Sequence, residues 1–84
     1  MARYKAIARS PQALGRALAE VRTARGTTQE EIAEALGISR QYVIGIESGN
    51  PNLYASRLFE VIRELGGHIE FHAEVPGPED SRDA

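Results

Sequence analysis

The sequence contains no cysteine, no tryptophan and no apolar run long enough to cross a membrane. Without cysteine, a disulfide framework and any zinc site built on thiolates are excluded, and the composition fits a reducing compartment. The basic N-terminal residues are not followed by the apolar segment of a secretory signal peptide. We therefore expect a soluble, cytoplasmic protein that makes no membrane contact.

The sequence also lacks the residue sets that carry catalysis. It has no glycine-rich phosphate loop, and no nucleophile is accompanied by a base and an orienting group. His68, Glu70, His72 and Glu74 alternate along one stretch, but exposed polar residues on one face of a strand are the ordinary outcome. We expect no enzymatic activity, no cofactor and no metal.

Charge is distributed unevenly along this small chain of 84 residues, whose net charge is -2. Residues 1–25 carry six basic side chains and one acidic, whereas residues 26–84 carry four basic and eleven acidic. Binding to DNA phosphates depends on the field at the docking face, so an acidic total does not exclude a nucleic-acid partner. The total does argue against strong non-specific binding.

The central residues 28–49 predict two short helices joined by a tight turn. Thr28 and Glu31 have the spacing of a capping box, which begins the first helix. Gly37 stands where that helix should end in the left-handed conformation, and Ser39 can cap a second helix over residues 40–48. The apolar positions expected to face the core or plug the turn are Ile32, Ala33, Leu36, Ile38, Val43 and Ile46.

This stretch resembles the Cro/repressor-type (XRE) helix-turn-helix family. The residues that carry the resemblance are Thr28, Gln29, Ile32, Ala33, Gly37, Ile38, Ser39, Val43, Ile46 and Glu47. Ala33 is small at the point where the second helix must cross the first closely. The resemblance implies a mainly α fold and binding to double-stranded DNA, with the second helix in the major groove.

The resemblance also implies a set of DNA-binding residues: Thr28, Gln29, Ser39, Arg40, Gln41, Tyr42 and Ile44. Gln29 and Ser39 are expected near phosphates, with Arg40 and Gln41 toward base edges. Arginine suits the two acceptors of guanine, and glutamine can pair with adenine. Ile44 departs from the small polar residue usual in the family, so that contact with a thymine methyl group would replace a hydrogen bond.

Two further helices complete a predicted four-helix DNA-binding domain over residues 10–66. Ser10 and Pro11 begin a helix that runs to about residue 25, and Asn52 can cap another over residues 53–65. The predicted buried stripes are Leu14, Ala17, Leu18 and Val21 in the former and Leu58, Phe59, Ile62 and Leu65 in the latter. We expect these two helices to supply most of the core, while Arg16, Arg22 and Arg25 lie outside. Residues 1–9 are expected to be a flexible basic lead or an arm along the DNA.

The period of the apolar residues changes from 3.6 to 2 over residues 67–75, which predicts a half-buried strand. Its apolar face consists of Ile69, Phe71, Ala73 and Val75. Only the stretch from Tyr4 to Ala8 is a candidate partner for it, and a weak one. We therefore predict a two-fold homodimer in which this strand pairs with its symmetry mate. Residues 76–84 should be a disordered acidic tail.

An XRE domain followed by a C-terminal strand is similar to the HipB-type antitoxins. That resemblance implies a dimer that represses its own operon at a palindromic operator and neutralises a HipA-type kinase toxin. Two alternatives stay open. One is a stand-alone dimeric repressor without a toxin, and the other is a protein-interaction adaptor that has lost DNA binding.

Overall fold

The fold is mainly helical, with a small two-stranded sheet. A computed structural model describes residues 1–50 and 52–77. Along the chain the elements are β1 (Ala2–Ala8), α1 (Pro11–Ala24), α2 (Gln29–Leu36), α3 (Arg40–Ser48), α4 (Leu53–Glu64) and β2 (Ile69–Val75). The predicted disordered tail lies outside the described residues from residue 78 onward. No helix in the described ranges combines the length and apolarity needed to span a bilayer.

Local side-chain chemistry sets where the helices begin and end. The side chains of Ser10, Thr28, Ser39 and Asn52 each accept a hydrogen bond from a backbone amide three residues later, as predicted. Thr28 and Glu31 form both halves of the capping box. Gly37, at φ 69°, ends α2 in the left-handed conformation, which glycine adopts without a steric penalty from Cβ. These contacts confirm the predicted starts of the helices and the position of the turn.

The N-terminal residues form a strand, so the predicted flexible lead is wrong for Ala2–Ala8. They pair antiparallel with β2, from Ala2 opposite Val75 to Ala8 opposite Ile69. Alternate residues of β1 are at least partly buried, and Ala8 is fully buried. Alanines at three of the inward positions of β1 give only a weak apolar alternation, so the sequence pattern does not reveal this strand. The strand β2 therefore has a neighbour within its own chain, which the sequence had suggested only weakly.

The sheet packs its apolar face on α1. The rings of Tyr4 and Phe71 meet edge to face with centroids 6.2 Å apart. The Tyr4 hydroxyl donates to the Glu20 carboxylate on α1, and this bond raises the pKa of Tyr4 above its ordinary value. At the C-terminal end of α1, Arg25 Nη1 donates to the Glu74 carbonyl over 2.7 Å. Contacts from both strands thus fix the sheet on one helix.

The core is small. Within the described ranges its buried apolar residues are Ala8, Ala17, Val21, Ala33, Val43 and Phe59. Three of the six, Ala17, Val21 and Phe59, belong to α1 and α4, so these two helices share the core with β1, α2 and α3. Four residues predicted to face inward are instead exposed, with exposed fractions of 67% for Leu36, 43% for Ile46, 44% for Leu58 and 81% for Leu65.

Helix α4 has a second apolar face that the described residues leave uncovered. Phe59 points into the core, whereas Tyr54, Leu58, Val61 and Leu65 are between 44% and 81% exposed. These four residues have the spacing of one helical face, and we call them the α4 stripe. An exposed apolar stripe of this kind is typical of a surface that meets another protein.

Helix α1 approaches the end of α3 so closely that only glycine fits at the crossing. A Cβ atom on Gly15 would lie 2.4 Å from the Glu47 carbonyl oxygen and 2.6 Å from that of Ile46. Both obstacles are backbone atoms, so neither can rotate away as a flexible side chain could. Gly15 therefore sets the distance between α1 and α3.

We predict that Gly15→Ala lowers the free energy of unfolding by about 1 to 3 kcal/mol, because the new methyl group must push two helices apart. The loss should appear although alanine favours helix formation more than glycine does. Gly67→Ala is the control, since the nearest atoms to its Cβ are at 3.5 Å. Urea unfolding followed by circular dichroism measures both. Equal stability of the two variants would contradict the close approach.

Candidate nucleic-acid interface

Helices α2 and α3 meet around two small buried residues and a glycine turn. Ala33 on α2 and Val43 on α3 are 5% and 3% exposed, and they bring the two helices into contact. The Ile38 amide donates to the Ala33 carbonyl over 3.0 Å, which closes the turn after Gly37. The chain then enters α3 through the Ser39 cap. This is the geometry of two short helices in which the first supports the second.

A charged cluster joins this unit to α1. Arg22 on α1 donates two hydrogen bonds to Glu47 on α3, from Nε to Oε2 over 2.6 Å and from Nη2 to Oε1 over 3.1 Å. Its third nitrogen, Nη1, donates to the Thr27 carbonyl over 2.9 Å. Gln29 at the start of α2 donates from Nε2 to Glu47 Oε1 over 3.0 Å. We call Arg22, Thr27, Gln29 and Glu47 the Arg22–Glu47 cluster.

The cluster is largely shielded from water, which strengthens it. The side chains of Arg22 and Glu47 are 20% and 11% exposed. The hydrogen bonds from Arg22 lower the pKa of Glu47 below its ordinary value, and burial only partly offsets them. The same contact raises the pKa of Arg22. A bidentate arginine–carboxylate pair of this kind is strong and directional, so it fixes the orientation of α3 relative to α1.

The prediction that Arg22 lies outside is therefore wrong. Arg22 follows the buried Val21 on α1, and the apolar stripe of this helix does not indicate a partner for the Arg22 side chain. The family resemblance includes Glu47 but does not indicate that this carboxylate accepts hydrogen bonds from Arg22. A half-buried carboxylate favours a cation or several donors beside it, and this preference is the signal that could link the two residues.

The predicted base-contacting residues lie together on the exposed first turn of α3. Ser39, Arg40, Gln41 and Tyr42 are all exposed, and Tyr42 is 63% exposed. No acidic residue occupies the first turn of α3. Ile44 is half-buried on the next turn. This end of the helix presents arginine, glutamine and backbone amides to solvent, and helix N-termini attract phosphate.

The two residues predicted on α2 lie at its N-terminus and have different surroundings. Thr28 is exposed, and its hydroxyl accepts from the Glu31 amide. Gln29 is half-buried, and one of its side-chain hydrogens is held by Glu47. Its amide group has a second hydrogen and an oxygen that this contact leaves for other partners. The cluster thereby orients Gln29.

The predicted dimerisation residues lie elsewhere, on the sheet. Ile69, Phe71, Ala73 and Val75 alternate as half-buried residues along β2. They share the face of the sheet that packs on α1 and are not fully covered within one chain. The fold thus brings the predicted DNA-binding residues of α2 and α3 together. It places the four predicted dimerisation residues on a separate surface.

An apolar groove of about 500 Å³ runs between α1, α3 and α4. Its walls include Leu14, Leu18, Tyr42, Ile46, Tyr54 and Leu58. No acidic or basic side chain and no histidine lines it within the described ranges. The groove is suited to apolar contact and holds no acid–base pair.

Comparison with known proteins identifies the family to which the fold belongs. A family model described as helix-turn-helix matches residues 18–71, which includes α2, the turn, α3 and α4. The chain belongs to the XRE-type helix-turn-helix family. This XRE-type protein is therefore a transcriptional regulator that binds double-stranded DNA. The family is typically non-enzymatic, and membership favours a regulator over an adaptor without DNA binding.

One relative of this XRE-type protein is an uncharacterised HTH-type transcriptional regulator, y4dJ, of Sinorhizobium fredii. The two are 36% identical over 58 residues, which cover 68% of this chain and 75% of the relative. No solved structure matches the chain.

We predict that Glu47→Gln lowers the free energy of unfolding at pH 7 by about 2 to 3 kcal/mol, because hydrogen bonds to a charged group are lost. Folding lowers the pKa of Glu47 below its ordinary value of 4.5. The ionised carboxylate therefore stabilises the folded protein at pH values above 4.5. That contribution disappears as the pH falls through the lowered, folded-state pKa. The difference between the variant and the wild type should therefore shrink in acid.

Thermal unfolding between pH 3 and pH 7 measures this difference. Glu60→Gln is the matched control, because Glu60 pairs with Arg57 on α4 where both side chains are at least half exposed. Exposed pairs contribute at most about 1 kcal/mol. A Glu47→Gln variant no less stable than the Glu60→Gln variant would show that the cluster does not hold the helices together.

Proposed function

We propose that this protein is a homodimeric antitoxin that represses its own operon and neutralises a HipA-type kinase toxin. The observation that carries the DNA-binding part is the exposed first turn of α3, held at a fixed angle by the Arg22–Glu47 cluster. Arg40 and Gln41 occupy positions from which a helix in the major groove contacts base edges. Thr28, Gln29 and Ser39 lie at the two helix N-termini, where phosphates bind.

Tyr42 and Ile44 complete the proposed DNA surface. Tyr42 stands exposed beside the base-contacting residues, and Ile44 is half-buried one turn later. An aliphatic side chain at this depth suits contact with a thymine methyl group. The first turn of α3 carries Arg40 and no carboxylate, so the positive charge of the proposed surface lies on α3, whereas Glu30 and Glu31 occupy the first turn of α2.

The homodimer part of the proposal is supported by the sheet. The apolar residues of β2 are only half-buried within one chain, and one edge of the strand is open. A two-fold dimer presents two copies of α3 and requires a palindromic operator. Its half-sites would lie about 34 Å apart, or a multiple of this spacing.

The toxin part is supported by the α4 stripe and by the resemblance to HipB-type antitoxins. The stripe is apolar, exposed and separate from the first turn of α3 in sequence. Such a surface fits a second protein better than it fits DNA. The alternative is a dimeric repressor without a toxin, and it is favoured by the relative from Sinorhizobium fredii, whose name describes a transcriptional regulator.

For DNA binding, Arg40→Ala should cost about 1 to 3 kcal/mol at one base position of the operator and relax the preference there. The reason is the loss of a bidentate contact to a single base. Fluorescence anisotropy with a set of single-base operator variants at constant salt measures this pattern. Arg57→Ala on α4 is the control and should leave the preference unchanged. A uniform loss across all operator variants would make Arg40 a phosphate contact.

For toxin neutralisation, cells that express the neighbouring open reading frame alone should stop growing, and co-expression of this chain should restore growth. A Val61→Asp/Leu65→Asp variant should fail to restore growth while it still binds the operator, because these two exposed residues of the α4 stripe do not line the groove that Tyr42 shares with Leu58. Arg57→Ala on the same helix should restore growth fully. Absence of arrest by the neighbouring frame would favour the stand-alone repressor.

A further inference from the structure

Among the described residues, β2 has a neighbouring strand on one edge only, and the backbone groups along its other, open edge can be assigned. Pro76 has no amide hydrogen, so the ladder cannot continue past the Ala2–Val75 pair. That pair must itself be hydrogen-bonded, and every second pair with it, because antiparallel ladders alternate. The amides and carbonyls of Glu70, His72 and Glu74 therefore point away from β1. The bond from Arg25 to the Glu74 carbonyl agrees with this direction. It also occupies one lone pair of that carbonyl, so a partner strand at this end of the edge would share the oxygen with Arg25.

The side chains above this edge alternate in chemistry. His68, Glu70, His72 and Glu74 lie on the solvent face, with His72 Nε2 3.0 Å and His68 Nε2 3.5 Å from the oxygens of Glu70. The neighbouring strand adds Lys5 opposite His72 and Arg3 opposite Glu74. The two histidines and Lys5 lower the pKa of Glu70, so both the strand and its neighbour favour the ionised carboxylate.

When two copies pair antiparallel through their open edges, this alternation excludes the registers that oppose two glutamates and leaves axes through Ile69, Phe71 and Ala73. An axis through Ile69 sets Phe71 against the partner's Gly67, which has no side chain to pack on it. If the two-fold axis passes through Phe71, each Glu70 faces the partner's His72, and each His68 faces the partner's Glu74. An axis through His72 instead sets Glu70 against the partner's Glu74, and an axis through Glu70 sets two carboxylates face to face. Directly opposed carboxylates destabilise a sheet, whereas a histidine opposite a carboxylate can donate a hydrogen bond to it.

The backbone and the apolar face agree with the same register. With the axis at Phe71, the outward backbone groups of Glu70 meet those of the partner's His72, which forms hydrogen-bonded pairs. An axis through Ala73 would set Glu70 against the partner's Pro76, which has no amide to donate. On the other face, Phe71 meets the partner's Phe71, and Ile69 meets the partner's Ala73. The half-buried residues of β2 would then form one continuous apolar layer.

We propose that two copies of the chain pair β2 to β2, with Phe71 on the two-fold axis and each glutamate of the strand opposite a histidine of the other copy. This inference rests on the homodimer of the proposed function and adds its register. The product is a four-stranded sheet, ordered β1, β2, β2 and β1, that spans both copies. The open edge is the interaction surface, and its partner is a second copy of this chain.

Cross-linking tests the register directly, because the chain has no cysteine of its own. Phe71→Cys should form a disulfide-linked dimer with diamide as the oxidant, since opposed residues on the axis are about 4.5 Å apart between Cα atoms. Ala73→Cys is the control. Residue 73 faces residue 69 of the other copy, so the two introduced cysteines lie four residues, or about 13 Å, apart along the strands. Cross-linking of Ala73→Cys, or of neither variant while the protein is dimeric, would overturn the register.

A second pair of variants leaves the core untouched and tests the charges. His72→Glu should weaken the dimer about tenfold in sedimentation equilibrium, because two new pairs of carboxylates face each other. The exchange variant Glu70→His/His72→Glu should restore the wild-type dimer constant, since each glutamate again faces a histidine. An exchange variant as weak as the single variant would overturn the pairing, even if Phe71→Cys fails to fold.

The wild type separates failure of the register from failure of the proposed function. A chain that sediments as a monomer at concentrations that saturate its operator would refute the homodimer, and the register with it. A chain that dimerises and binds its operator, but whose Phe71→Cys variant is folded and not cross-linked, would refute the register alone. Cross-linking at Phe71 together with rescue by the exchange variant would establish it.

Discussion

The bidentate contact between Arg22 and Glu47 is the interaction on which the remaining structure depends. It joins α1 to the end of α3, and through Thr27 and Gln29 it also fixes the loop and the start of α2. Because both charges are largely removed from water, each requires the other, and loss of one would leave the second unpaired. The cluster therefore fixes the orientation of the first turn of α3, the candidate DNA-binding surface.

Helix α1 serves as the common support for two separate surfaces. On one side Gly15 allows α3 to approach to backbone contact, and on the other Tyr4 and Phe71 bring the sheet against the helix. Helix α1 thus holds both the candidate DNA-binding turn and the proposed dimer strand in place. This arrangement explains how a chain with so few fully buried residues can hold two interaction surfaces in a defined relation. It also leaves the α4 stripe available for a further protein.

The features that the sequence predicted well are those set by local chemistry. Caps such as Ser10 and Ser39 act on amides three residues away, and Gly37 ends its helix through its own φ angle. The alternation in β2 likewise follows from neighbouring residues, so its start and end were predicted closely. The position of the candidate DNA surface followed from the same local signals together with the family resemblance.

The features that the sequence did not predict depend on contacts between distant residues. The pairing of β1 with β2 joins residues more than sixty positions apart, and small alanines on β1 hide its inner face. Arg22 and Glu47 are 25 positions apart, and neither departs from an ordinary surface residue when taken alone. The exposure of Ile46, Leu58 and Leu65 depends on how far α4 stands from the other helices, which periodicity cannot specify.

The central claim is that the first turn of α3, positioned by the Arg22–Glu47 cluster, is the surface that contacts DNA bases. Its most direct test is an NMR titration of the ¹⁵N-labelled chain with DNA from upstream of its own gene, compared with scrambled DNA of equal length at the same salt concentration. We expect specific shifts at Gln29 and residues 39–44 with the upstream DNA alone. Equal responses to both duplexes, or shifts confined to α4 and the sheet, would contradict it.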